Sequence, residues 1–141
     1  MNEPRVEARR WFLQAQADLD VVRTLRAGDH YAAACFHAQQ AAEKALKAVL
    51  YSQGARVVLG YAVRTLVRRC EPLDPAFAPL AGDGGMLDQF YIPTRYPNGL
   101  PAPAVPSESY TEAQAEAAQQ AAAQVIGVVE AYLRTHTDVL D

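Results

Sequence analysis

Apolar residues recur along this chain at three- and four-residue intervals, the period of α-helices that bury one face. Between residues 4 and 27, Trp11, Ala15, Leu19, Val22 and Leu25 mark one such face. Pro4 suits a first helical turn, and Gly28 suits the left-handed position just past the end. Asp29 then reads as the N-cap of a second helix that runs to about Gln53 and stops at Gly54. A Gly-Asp junction this short predicts that the two helices lie antiparallel.

The second helix carries Ala32, Ala33, Ala34, Ala38, Ala41, Ala42, Ala45 and Ala48. Alanine is the best helix former and lets neighbouring backbones come close. A third, shorter helix fits 60–71, with Ala62, Val63, Leu66 and Val67, and ends before Pro72. Pro72, Pro75 and Pro79 leave room in 72–85 for turns and at most one short helical piece, with Gly82, Gly84 and Gly85 as a flexible turn. Two helical turns fit Met86 to Ile92, stopped because Ile92 precedes a proline. From Pro97 to Ser109 four prolines mark a long connection, either a functional, mobile segment or a stiff strap along the bundle. Thr111 and Gln114 have the spacing of a capping box, which opens a last helix to about His136. Ala117, Ala121, Val125, Val128 and Tyr132 share one of its faces. No apolar alternation with hairpin chemistry occurs. The pattern predicts one all-α domain over 1–141, a mostly antiparallel bundle.

Composition narrows the function classes. Thirteen Lys and Arg against 16 Asp and Glu give a net charge of -3. That balance argues against strong nonspecific binding to duplex DNA, which needs an excess of cations over the footprint. The local clusters Arg5, Arg9, Arg10 and Arg64, Arg68, Arg69 read as solvated helix faces. No run approaches the ~20 apolar residues of a membrane span. Cys35 and Cys70 are the only cysteines and lie at no metal or redox spacing; with a start that lacks a leader's apolar segment, a cytoplasmic protein is expected.

Catalytic constellations are poor. His30, His37 and His136 have no metal-ligand spacing, and His37 suits a helix surface or interface. The glycines form no phosphate-binding pattern. Asp18 and Asp20 do not face each other on a helix, so they make no acid/base dyad. No metal, cofactor or catalytic residue is expected.

Two stretches stand out. On the second helix Gln39, Glu43 and Lys47 share one face and Gln40, Lys44 and Lys47 a neighbouring one. They make either a solvated helix side or a groove in which Gln40 and Lys44 offer donors to an anionic or heterocyclic ligand. In Tyr91-Ile92-Pro93-Thr94-Arg95-Tyr96-Pro97 the prolines restrict the backbone around Arg95. Arginine suits bidentate phosphate recognition and stacking on rings such as Tyr91 and Tyr96. Its alternative is to tie the loop to helix-end carbonyls or to Glu43.

Trp11 with Ala15-Gln16-Ala17-Asp18-Leu19, the run from Tyr31 to Ala48 with its Gln-x2-Glu-Lys core, the Arg95-Tyr96-Pro97 loop and Tyr110-Thr111 together resemble the HEPN domain, the higher-eukaryote and prokaryote nucleotide-binding family. The resemblance covers about 8–135. It implies an up-and-down antiparallel bundle of four to five helices, similar to the helical domain of aminoglycoside nucleotidyltransferases, often a homodimer. It further implies a nucleotide-like ligand, or pairing with a minimal nucleotidyltransferase in a two-component, toxin–antitoxin-like system. Carried over, Gln40, Lys44, Arg95 and Tyr96 become the expected ligand-binding or interface residues of a non-catalytic module. The alternative within the family is a metal-independent ribonuclease toxin, which uses an Arg, four to six residues, then His. Arg23 and His30 have that spacing, but at the first interhelical turn rather than the family's later location. Relatives of this subgroup also often carry a histidine opening the third helix, where this chain has Tyr61.

Overall fold

A computed structural model describes residues 3–141. Met1 and Asn2, part of the start read for a leader, lie outside the described residues. Five α-helices follow in order: α1 (Glu3–Ala27), α2 (Tyr31–Ser52), α3 (Val63–Cys70), α4 (Ala81–Asp88) and α5 (Glu112–His136). Short 3-10 turns at Glu71–Leu73, Pro75–Leu80, Pro97–Gly99 and Pro106–Glu108 fill the connections. Among the described residues there is no strand, and no helix is long and apolar enough to cross a membrane.

The helix α2 is the axis of the bundle. It packs on α1 and α5 along its length and on α3 and α4 at its sides. Ala34, Ala38, Ala41, Ala42, Ala45 and Ala48 are all fully buried and share an arc of about 120°. Small side chains along that arc let neighbouring helices approach α2 closely. Larger core groups come from α2 itself, with Leu46 and Val49, and from around it, with Phe12 on α1, Leu66 on α3, Phe77, Leu87 on α4 and Leu133 on α5.

The first turn departs from expectation. Asp29, not Gly28, takes the left-handed backbone, at φ 63. The His30 amide reaches back to Leu25 O (2.8 Å) and the Asp29 amide to Arg26 O (3.1 Å), which closes α1 in a Schellman motif. His30 is therefore the N-cap of α2, with no side-chain capping bond. Asp29 Oδ1 instead accepts from Tyr31 Oη at 2.9 Å. Asp tolerates the left-handed region better than most residues.

Further corrections concern the middle of the chain. The third helix begins at Val63 rather than 60, because Gly60 has φ 93 and interrupts it. The glycines expected in a flexible turn lie inside α4, and 89–92 is turn rather than helix. A Cβ on Gly84 would sit 2.9 Å from the Arg64 amide nitrogen, so glycine is what lets α4 lie against the start of α3. From the end of α4, Asp88 accepts from the Val63 amide (2.7 Å) and the Arg64 amide (3.1 Å), capping α3 with a carboxylate. The capping box of Thr111 and Gln114 forms as expected. The core face of α5 keeps Ala121, Val125 and Tyr132 of the predicted row and extends through Ala115, Ala118, Ala122, Val129 and Leu133, while Ala117 is exposed. The connection 97–109 is a series of turns anchored by buried Pro106.

Candidate functional site

The site grows from one row on α2. Phe36, Gln40 and Lys44 follow at four-residue intervals, each about 6 Å further along the axis. The two ends of the row meet different parts of the molecule, and the expected site residues divide accordingly.

At the Phe36 end lies Arg95. Its guanidinium carbon is 4.4 Å from the centre of the Phe36 ring, 4.7 Å from that of Tyr91 and 5.0 Å from that of Tyr96. Its Nε donates to the Tyr91 carbonyl at 2.8 Å. The loop is held tightly enough to aim it: Thr94 Oγ1 donates to Phe90 O, and the Arg95 and Tyr96 amides donate to Ile92 O at 3.0 and 3.2 Å. Arg95 thus ties to a carbonyl of its own turn rather than to a helix end, and it makes no ion pair with Glu43. The tie uses only Nε. Among the described residues no carboxylate lies within ion-pair distance of Arg95, which is exposed. Its terminal nitrogens are the free donors of the cluster. Tyr61 joins from the other side, stacked on Tyr91 with centroids 3.8 Å apart and planes 6° apart. Tyr61 and Tyr96 remain nearly half exposed.

At the other end the polar groups satisfy one another. Lys44 Nζ donates to Asp18 Oδ2 at 2.6 Å, and Gln14 Nε2 to Asp18 Oδ1 at 2.8 Å. Gln40 Nε2 donates to Gln39 Oε1 (2.9 Å) and Glu43 Oε1 (3.1 Å). Lys47 Nζ donates to Glu43 Oε2 at 2.9 Å and sits 5.6 Å from the Trp11 ring centre. Gln39 Nε2 donates to Tyr61 O at 2.7 Å. Gln39, Glu43 and Lys47 are buried, so the solvated helix side expected for them is wrong. The reason is the central place of α2, which leaves none of its residues exposed. Lys44 borders a cavity of about 360 Å³ with Glu7, Arg10, Trp11 and Gln14. Nothing in this half offers an unpaired cation.

The structure therefore places Tyr96 beside Arg95, Gln40 with Gln39 and Glu43, and Lys44 with Asp18, and it gives neither Gln40 nor Lys44 a hydrogen bond to Arg95. Asp18, Phe36 and Tyr61 were missed from sequence. Asp18 had a signal, since it interrupts the apolar face made by Ala15, Leu19 and Val22. Phe36 lies one turn before Gln40 and was legible too. Tyr61 reaches the cluster only through the tertiary fold. His37, beside this row, has its pKa lowered chiefly by burial, opposed by Asp18 and reinforced by Lys44. The thiols of Cys35 and Cys70 are pushed up to about 12 by burial, which makes them inert rather than nucleophilic. Arg23 is engaged with Asp20 at 2.6 Å, and both it and His30 are exposed.

Comparison with known proteins bears on this arrangement. The family model described as HEPN domain matches residues 8–132. This chain belongs to the HEPN domain family. The crystal structure of TT1696 from Thermus thermophilus superposes with a TM-score of 0.82 at 37% identity, over 93% of this chain and 98% of that one. ST0689, an archaeal HEPN homologue, gives 0.74 at 31% identity, over 90% and 98%. An HEPN domain protein of Thermotoga maritima gives 0.70 at 28%, over 89% and 98%. In sequence, 134 residues are 28% identical to a Methanocaldococcus jannaschii protein named "Putative toxin MJ1304", over 90% of this chain and 88% of the relative. The HEPN resemblance and the all-helical bundle both hold.

Proposed function

We propose that this HEPN domain is a non-catalytic binding module for a nucleotide-like anionic ligand, centred on Arg95. One observation carries the reading: the guanidinium is stacked among Phe36, Tyr91 and Tyr96 and keeps its terminal nitrogens unpaired. An arginine fixed by rings loses little freedom when it binds a phosphate, and the exposed faces of Tyr61 and Tyr96 suit a base. Gln40 and Lys44 have a supporting role in this reading, because their donors are already used within the protein. The same exposed cluster suits docking of a minimal nucleotidyltransferase in a two-component, toxin–antitoxin-like system. A metal-independent ribonuclease toxin is the second reading, favoured by the name of the archaeal relative.

The test is a melting-temperature panel with nucleoside mono- and triphosphates and short RNA, run on the protein and on Arg95→Ala and Arg95→Lys variants. A ligand at 100 times its Kd should stabilise by about 2.7 kcal/mol, on the order of 5 °C or more for a domain of this size. The expected result is a shift that disappears in Arg95→Ala and is largely lost in Arg95→Lys, which lacks the planar fork. No shift with any nucleotide would overturn the small-ligand reading and turn attention to the protein partner. RNA cleavage that survives chelator and vanishes in Arg23→Ala or His30→Ala would establish the ribonuclease instead.

A further inference from the structure

Four polar side chains of α2 form one chain of hydrogen bonds that ends at the aromatic cluster. Lys47 Nζ donates to Glu43 Oε2 at 2.9 Å, and Gln40 Nε2 donates to Glu43 Oε1 at 3.1 Å. The same Gln40 nitrogen donates to Gln39 Oε1 at 2.9 Å, and Gln39 Nε2 donates to Tyr61 O at 2.7 Å. Tyr61 in turn stacks on Tyr91, whose ring centre is 4.7 Å from the guanidinium carbon of Arg95.

The direction of this chain is fixed at its far end. A carboxylate paired with an ammonium only accepts, so Gln40 must turn its NH2 toward Glu43. Held that way, Gln40 presents the same NH2 to Gln39, which answers with its carbonyl oxygen. The NH2 of Gln39 is then left for Tyr61 O. Reversing either amide would set oxygen against oxygen. Gln39 is fully buried, so an amide turned the wrong way has no water to bond instead.

The backbone that this bond holds has little else to fix it. Leu59 is 79% exposed, and Gly60, at φ 93, is exposed too. Among the described residues the Tyr61 carbonyl accepts from no backbone amide. The flanking amides are held on either side, Val58 by Tyr51 Oη at 3.2 Å and Val63 by Asp88 at 2.7 Å. The bond from Gln39 is the tie at Tyr61 itself. Stacking of two rings is worth no more than about one such hydrogen bond, so the tie matters to the stack.

We propose that Gln39 is a positioning residue: its amide, aimed by Gln40 and the Glu43–Lys47 pair, holds Tyr61 flat against Tyr91 beside Arg95. The buried polar chain thereby keeps one wall of the Arg95 cluster formed before a ligand arrives. Only the effect on ligand affinity rests on the reading of Arg95 as a ligand site.

Ring-proton chemical shifts of protein with isotope-labelled tyrosine test it, because a ring stacked at 3.8 Å moves its neighbour's signals upfield. The Tyr91 signals are those that return downfield in Tyr61→Ala. Gln40 is only half-buried, so its position accepts a charge of either sign. Gln40→Glu presents an acceptor to Gln39, draws Nε2 away from Tyr61 O and should abolish the upfield shift. Gln40→Lys still donates to Gln39 and Glu43 and should keep it. Gln39→Met, of similar length but without a donor, should lose the shift, and its Kd for AMP should rise roughly tenfold. Helical circular dichroism checks each variant; if Gln39→Met does not fold, the two variants of Gln40 decide. An upfield shift retained in Gln40→Glu overturns the proposal, as does one lost equally in Gln40→Lys. AMP bound equally by the wild type and a folded Gln39→Met overturns it too. AMP that does not bind the wild type sinks the ligand reading alone, and the ring shift still decides whether Gln39 positions Tyr61.

Discussion

His37 shows how one residue's surroundings set a pH response. Burial lowers its folded pKa below the ordinary 6.5, so the unfolded chain binds the proton more readily. Stability from this group is therefore present above the unfolded pKa and lost as pH falls from there toward the folded value. Asp18 and Lys44 pull that value in opposite directions, with desolvation the larger cause. The melting temperature should drop on going from about pH 7.5 to about pH 5. The drop should be smaller in His37→Gln, which keeps a polar group of similar size without the titration. An equal drop in both proteins would show that His37 is not its source.

At the scale of elements, the junction of α3 and α4 is where sequence reasoning failed and where backbone packing decides. Gly82, Gly84 and Gly85 argued against a helix, since each glycine costs about 1 kcal/mol relative to alanine. The helix forms because Gly84 lies against the Arg64 backbone and Asp88 caps the first amides of α3. Neither contact leaves a mark on local periodicity. Gly84→Ala should destabilise by roughly 1–3 kcal/mol through overpacking against backbone. Gly82→Ala meets open space and should stabilise by about 0.5–1 kcal/mol. Urea denaturation of the two variants should give opposite signs. By contrast α1, α2 and α5 were legible, because long periodic stretches with a Thr111–Gln114 cap or a Gly54 stop carry their own boundaries. Of the site, Arg95 and Tyr96 were legible from the prolines around them. The burial of Glu43 and Lys47 was not, because an exposed i, i+4 pair and a buried one have the same spacing.

Across the whole molecule, the charges at the centre and those at the rim do different work. Glu43 and Lys47 are both about nine-tenths buried and bonded to each other at 2.9 Å. Lys47→Ala should cost about 3–5 kcal/mol, because Glu43 is left charged and buried. Removing both charges, as Glu43→Gln with Lys47→Met, should cost far less. Equal losses in the two variants by urea denaturation would mean that packing, not charge, sets the cost. That ion pair also has a witness. Trp11 is the one tryptophan of the chain. Its indole stacks on Tyr51 with centroids 5.3 Å apart, donates to Glu7 at 3.3 Å and lies beside the Lys47 ammonium. The molecule thus carries a fluorophore at the seam of α1 and α2, where its emission follows separation of those two helices and is remote from events at Arg95.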